Sequence, residues 1–242
     1  MPNKKKRHPW RKCPLGEHWV REHDRQVSVS ERNPDGTTTV DGHCRKNPSG
    51  HEIFVPDEIL EISSNHFKSV KNRPTSNSLG YLRGNDFDDL IAGWTQFWND
   101  IFEPKESLDP DLVKVLIASE SSFDVGVSVP SKSGTARGLI QITEQTRKIL
   151  RGTKGELKDY LIDLSKEDSL DPNMNICAAI RWLHHKKYLA SHRLKREATW
   201  MEAIAEYKGI LNQLGHGGKP DEIMSNLDKL YKKIKQQRGS KK

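Results

Sequence analysis

An acid closing an apolar helix is where this chain's chemistry begins. In LVKVLIASESSF, residues 112–123, Leu112, Val115, Leu116 and Ser119 recur at helical spacing, with Val113, Ile117 and Ala118 beside them. That pattern predicts a helix buried over most of its girth. Glu120 stands at its end, one turn beyond Leu116 and Ile117 and close to their face. A carboxyl group lodged in an apolar cleft loses hydration, which disfavours its charged form. It can then serve as a general acid, and glycosidic cleavage needs one, because the leaving oxygen must receive a proton. From the helix alone, a last-turn glutamate that simply reaches water is the competing expectation.

The stretch SKSGTARGLIQITEQT, residues 131–146, follows as a small-residue loop feeding a second helical run. Gly134, Ala136 and Gly138 let backbone approach backbone or ligand closely. Gln141, among Leu139, Ile140 and Ile142, is a neutral hydrogen-bonding group suited to a sugar hydroxyl or amide. Asp124, Glu144 and Glu206 are the candidates for a second acid, each expected to be a solvated charge. Near the N-terminus lie Cys13, His18, His23, His43, Cys44 and His51, whose spacing matches no Cys/His finger. No metal site is therefore expected, and a stapled or packed hairpin is the preferred reading. Cys13 and Cys44 are able to pair in an oxidising compartment, though the sequence does not demand it; Cys177 reads as a core residue.

Elements must position these groups. QVSVSERNPDGTTTVDGH predicts a β-hairpin around Asn33-Pro34-Asp35-Gly36. An echo accompanies it: Val20-x-x-His23-x-Arg25 recurs as Val40-x-x-His43-x-Arg45. Residues 61–84 read as a linker, loop-like above all in KNRPTSNSLG. Helices then dominate. NDFDDLIAGWTQFWNDIF carries an apolar stripe with Asn85 or Asp86 as its expected N-cap. Asp109-Pro110 and Asp171-Pro172 each supply a cap and a first-turn proline. Thr199 and Glu202 form a capping box before WMEAIAEY, and Gly209 can end that helix. A last amphipathic helix follows Pro220. The expected organisation is a small basic, His-rich hairpin module at 1–60, the linker, and a mainly α domain at 85–240.

The chain of 242 residues has 40 Lys and Arg against 33 Asp and Glu, a net charge of +7, which favours polyanionic partners. The basic runs KKKRHPWRK and KKIKQQRGSKK sit at the ends without a stacking platform or groove-reading motif, so solvated tails are expected and no nucleic-acid partner. No apolar run approaches a membrane span, and the N-terminus lacks the apolar core of a secretory signal.

Four blocks in order carry a resemblance. They are Glu120-Ser121-Ser122-Phe123; Ala136-Arg137-Gly138-Leu139-Ile140-Gln141 with Thr146; Asp171-Pro172-Asn173-Met174-Asn175-Ile176; and Ala205-Glu206-Tyr207-Lys208-Gly209. Together, across roughly 110–210, this segment resembles the soluble lytic transglycosylases, with their goose-lysozyme-like catalytic domain. It departs from the family pattern at Thr135 (commonly Gly), at Thr143-Glu144 (usually Met-Pro) and at Lys208 (typically Asn). The resemblance implies a mainly α, lysozyme-like domain behind the hairpin module, with Glu120 catalytic. Glu120 would protonate the oxygen joining N-acetylmuramic acid to N-acetylglucosamine, then deprotonate the muramoyl C6 hydroxyl as it closes a 1,6-anhydro ring. Gln141, Tyr207 and Ser133 map to the family's cleft as substrate-binding residues, Tyr207 hydrogen-bonding near Glu120 or the substrate. No cofactor is implied.

The substrate, peptidoglycan, lies outside the cytoplasmic membrane. The expected route is export by a dedicated system or phage delivery, with activity in the periplasm. An antibacterial effector of a type VI-like system fits, its N-terminal module engaging the delivery apparatus and an immunity protein blocking the cleft. Alternatives are a goose-type-lysozyme-like hydrolase, a lysozyme-like protein that grips glycan without cutting it, and a nucleic-acid binder.

Overall fold

The computed structural model describes residues 5–31 and 33–239. First come β1 (Glu17–Val20), β2 (His23–Gln26), β3 (Thr37–Val40), β4 (His43–Lys46) and β5 (Ile53–Phe54), then α1 (Pro56–His66), α2 (Asp88–Phe102) and α3 (Pro110–Ser121). Next are β6 (Ser128–Val129), β7 (Ala136–Arg137), α4 (Glu144–Leu150) and β8 (Leu161–Ile162). Helices α5 (Pro172–Leu194), α6 (Trp200–Tyr207) and α7 (Lys219–Gly239) complete the chain. The described residues are thus mainly helical, with strands paired only two by two.

The N-terminal hairpin is one antiparallel ribbon broken in the middle. β2 pairs with β3 and β1 with β4. The turn residues act as their chemistry predicts, Gly36 donating its N–H to the Asn33 carbonyl at positive φ. The sequence echo now has a physical meaning. Val20 sits opposite His43, and His23 opposite Val40, so the two copies are pseudo-symmetric partners across the break. Each histidine turns its Nδ1 to the carbonyl two residues back, His23 to Arg21 at 3.0 Å and His43 to Asp41 at 2.9 Å. A Cys13–Cys44 disulfide fastens the ribbon to the incoming chain.

The residues expected as a linker are packed against the helical core. α1 begins at Pro56 and runs through 61–66, burying Ile59 and Ile62, and Phe67 and Val70 are buried behind it. Thr75 then donates its backbone N–H and hydroxyl to the buried Asp111 carboxylate, at 2.5 and 3.1 Å. The fully buried Lys114 gathers the same segment, its Nζ contacting Thr75 O at 3.0 Å, Asn85 Oδ1 at 2.7 Å and Asp88 Oδ1 at 2.8 Å. Burial pushes the Asp88 carboxyl up to about 6 against the pull of Lys114. Asn85 is therefore a lysine ligand, and the N-cap of α2 is Phe87, without a side-chain bond.

α5 runs through the middle of the helical part, and α1, α2 and α6 all pack on it. Trp94 and Trp98 of α2 are fully buried and donate to Asn173 Oδ1 and to the Cys177 carbonyl. Cys177 is fully buried, as expected of a core residue. β5 joins β8 in parallel, placing Phe54 and Ile162 in the same core.

The N-terminal basic run does not behave as a solvated tail over its described part. His8 and Arg11 are buried, and Trp10 packs on the core. Arg11 lies between the buried Glu52 and Glu58, with Nε 2.6 Å from Glu58 Oε1 and one terminal nitrogen on Glu52. Its other terminal nitrogen donates to the Glu17 carbonyl at 2.8 Å. The C-terminal run likewise buries Ile234. Residues 1–4 and 240–242, which end the two runs, lie outside the described residues.

Arg11→Ala leaves two buried carboxylates without their cation. Urea unfolding is expected to show a loss of about 3–5 kcal/mol, and a loss below about 1 kcal/mol would exclude this triad as the ribbon's anchor. A second expectation concerns α6. Glu202 accepts from the Thr199 backbone and pairs with Arg196 at 2.5 Å, and these contacts pull its carboxyl from 4.5 down to about 2, Arg196 contributing most. A depressed folded-state value gives stability that is present above 4.5 and lost as pH falls toward 2. Glu202→Gln should therefore melt below the native protein at pH 6, the gap closing by pH 2. A gap of constant size would contradict the assignment.

Candidate active site

Glu120 owes its place to the way α3 ends. The helix starts where the sequence says, Asp109 accepting from the Asp111 N–H ahead of Pro110. From Pro110 to Ala118 every residue is buried. Ser122 and Phe123 then take positive φ, of 54° and 64°, which stops the helix and sends the Phe123 ring into the core beside Phe87. Glu120 is left in the last turn with its side chain 16% exposed. It is neither lost in the core nor free in water. A carboxylate there faces the negative end of the helix dipole.

The second block folds as a tight loop held from behind. β6 and β7 form a two-residue hairpin, and Gly138 and Gln141 close a turn, the Gln141 N–H donating to the Gly138 carbonyl. The buried Asn175 of α5 clasps that turn. Its Oδ1 accepts from Ile140 N at 2.9 Å, and its Nδ2 donates to Arg137 O at 3.0 Å and Ser169 O at 2.8 Å. Gly138 has φ +73°, and a Cβ there would stand 2.5 Å from both Asn175 and the Ser169 carbonyl. Close approach, expected of Gly134 and Gly138, is what the fold uses: at Gly134 a Cβ would meet that of Glu144 at 2.5 Å.

α6 supplies the opposite wall. Tyr207 donates its hydroxyl to the Ile140 carbonyl at 2.5 Å, joining α6 to the clasped loop. Burial holds that hydroxyl's pKa well above its ordinary value, with the Glu120 charge adding to the effect, so it stays protonated. The next residue, Lys208, forms an ion pair with Glu120 and reaches Ser119 Oγ at 3.3 Å.

A cavity of about 460 Å³ opens between these elements, lined by Glu120, Gln141, Thr143, Tyr207, Lys208 and a few apolar residues including Ile223 of α7. The loop takes up the Gln141 amide nitrogen, which donates to Gly138 O at 2.8 Å and Val127 O at 3.3 Å. Ser133 is exposed and lines an adjoining cavity of about 500 Å³ that shares Thr143, Tyr207 and Lys208 with the first. The structure thus brings Glu120, Gln141 and Tyr207 together and sets Ser133 next door.

The candidate second acids are engaged elsewhere. Asp124 is exposed and accepts from the Gly126 N–H at 2.8 Å. Glu144 pairs with Arg147 at 2.8 Å, which holds its carboxyl below the usual range. Glu206, expected to be solvated, is buried between Lys186 and Arg193, at 3.7 and 3.4 Å. Of the six N-terminal Cys and His residues, Cys13 and Cys44 are spent on the disulfide, and His18 is bonded to Asn47.

Sequence reasoning marked Lys208 only as a departure from a pattern. Its contact with Glu120 spans 88 residues, and nothing in either segment alone signals it. Asn175 was quoted within a motif without a role. Thr143, like Lys208, was marked only as a departure from the pattern, and Ile223 gave no signal beyond its helix.

The transglycosylase SLT domain family matches residues 99–222, just over half of the chain. That span holds every residue lining the Glu120 cavity except Ile223. A search of curated proteins finds no match. The mainly helical architecture fits the lysozyme-like domain of that family. With three of the four sequence blocks lining one cavity and the other, through Asn175, clasping its loop, the chain belongs to the transglycosylase SLT domain family and is a lytic transglycosylase acting on peptidoglycan.

Proposed function

We propose that Glu120 is the acid and base of this enzyme and that it cuts the β-1,4 bond from N-acetylmuramic acid to N-acetylglucosamine. The observation that carries this reading is that Glu120 is the one carboxylate among the described residues lining its cavity. Hydrolysis with a separate base needs a second carboxylate across the sugar. Intramolecular closure does not. Protonated Glu120 gives its proton to the glycosidic oxygen as the bond to C1 breaks, releasing the 4-hydroxyl of N-acetylglucosamine. The resulting carboxylate accepts the proton of the muramoyl C6 hydroxyl while O6 bonds to C1. The product ends in a 1,6-anhydro ring, and no water is consumed.

The neighbouring groups have roles in the same reading. Tyr207, protonated and tied to Ile140, fixes the loop wall rather than exchanging protons. Gln141 offers its amide oxygen to a sugar hydroxyl or acetamido N–H, and Ser133 contacts the strand in the adjoining cavity.

The enzyme acts, we propose further, in the periplasm after delivery by a dedicated secretion system or a phage, as an antibacterial effector countered by an immunity protein. Residues 1–60 then serve as the module that engages the delivery apparatus, before the catalytic domain. One observation favours an extracytoplasmic site: the Cys13–Cys44 disulfide suits an oxidising compartment.

Digesting purified peptidoglycan and weighing the products tests the chemistry. The native enzyme should release anhydro-muropeptides, and Glu120→Gln should be slower by about 10²–10⁴-fold. Reducing ends would indicate a hydrolase, and undiminished release by the variant would mean that the acid is misassigned. Expression targeted to the periplasm should lyse cells where cytoplasmic expression does not; equal damage from both would refute the delivery proposal.

A further inference from the structure

Lys208 presents a physical problem for the reading above. A general acid must hold a proton, yet in the free enzyme Glu120 stands as a carboxylate against the Lys208 ammonium. Both side chains are largely sheltered from solvent, at 14% and 16% exposure, so water screens this contact little. The resting pair is the wrong one for the first half of the reaction.

The surroundings offer a way out. The backbone of Lys208 is held at the end of α6, its N–H bonded to the Ile204 carbonyl, while its four-carbon stem has rotatable bonds. The side chain stands between the two cavities and lines both. In the Glu120 cavity the titratable residues among those described are Glu120, Tyr207 and Lys208. In the adjoining one, Lys186, Arg193 and Lys208 face Glu156 and Glu206. There Glu206 is already paired with Lys186 and Arg193, and Glu156 with His185 of α5. Withdrawn from Glu120, Lys208 brings the adjoining cavity to three cations against two anions. The cation in surplus is then its own.

We propose that Lys208 is a substrate-operated counterion: a carboxylate on the muramoyl unit draws its ammonium into the adjoining cavity, and Glu120, left without a partner under the bound sugar, takes a proton from solvent and becomes the acid. The inference rests on the assignment of Glu120 above. The substrate class follows from it, since glycan strands bearing a carboxylate beside the scissile bond are favoured over neutral ones. Two sources share that chemistry, the free lactyl carboxylate of a peptide-free muramoyl unit and a carboxylate of an attached stem peptide. Lys208 is a positioning and specificity residue, acting through Glu120.

The test compares pH profiles of the native enzyme, Lys208→Asn and Lys208→Arg on peptide-bearing strands and on the same strands stripped of peptide by an amidase. In Lys208→Asn, which has no ammonium against Glu120, the alkaline limb of kcat/KM should move up. The limb of kcat should move less, because in the bound complex the native lysine has already left. KM should rise severalfold on strands that carry the recognised carboxylate, and Lys208→Arg should restore the native profile. A KM effect that appears only after stripping locates the carboxylate on the lactyl group, which the amidase frees from its amide, and one lost on stripping locates it on the peptide. Superposing profiles with unchanged KM on both strands would overturn the inference while leaving Glu120 in place, provided Glu120→Gln is inactive. An active Glu120→Gln would remove the underlying assignment instead.

Discussion

Helix α3 is packed on all sides up to its last turn, and the site is organised around that one opening. Between Pro110 and Ala118 the two charged side chains, Asp111 and Lys114, are buried and engaged with Thr75, Asn85 and Asp88. The helix presents a carboxylate to a cavity only where it ends. The left-handed pair Ser122 and Phe123 fixes that point: the chain reverses, Phe123 returns to the core, and the last turn stays at the cavity edge.

The facing wall depends on a single amide. Asn175 satisfies three backbone groups of the 137–140 turn and its neighbour Ser169, so a loop without regular structure is as fixed as the helix behind it. Tyr207 continues the chain of bonds from that loop to α6. Glycine at 138 is what allows the amide to come so near. The result is a cradle in which, in the reading proposed above, only the stem of Lys208 moves. Charge is distributed with the same economy. Arg11, Lys114, Arg181 and Lys187 are buried, so several of the cations counted in the net charge hold the fold rather than face a polyanion.

Much of this was legible in the sequence, and the reasons are local. Asp109-Pro110, Asp171-Pro172 and the Thr199–Glu202 box are caps whose chemistry is complete within four residues, and all three fold as read. The hairpin turn is of the same kind. What escaped is what distance brings together. α1 was divided between the hairpin module and the linker because PDEILEISSNH is short and polar, and what marks it out is its packing on α2 and α5. The burial of Arg11 depends on Glu52 and Glu58, some forty residues on, and a basic run gives no sign of it. The echo around His23 and His43 was visible but mute until the register set the copies opposite each other. At the site, the acid, the loop and the tyrosine were readable as motifs. The partner of the acid was not, since Lys208 is informative only through its contact.

A lone carboxylate faces opposite demands in the two halves of this reaction. It must be neutral when the glycosidic oxygen leaves and charged when the C6 hydroxyl closes the ring. A dry, apolar pocket would favour the first state and hinder the second, and a fixed cation would do the reverse. Neither static environment serves both. The structure offers a bonded wall of Asn175, Gly138 and Tyr207 on one side and an ammonium on a long side chain on the other. In the reading proposed above, the wall keeps the geometry constant while the ammonium leaves for the acid step and can return for the base step. The departure from the family pattern at Lys208 then falls at the one position where a mobile charge reaches the reacting carboxyl without disturbing anything that holds it.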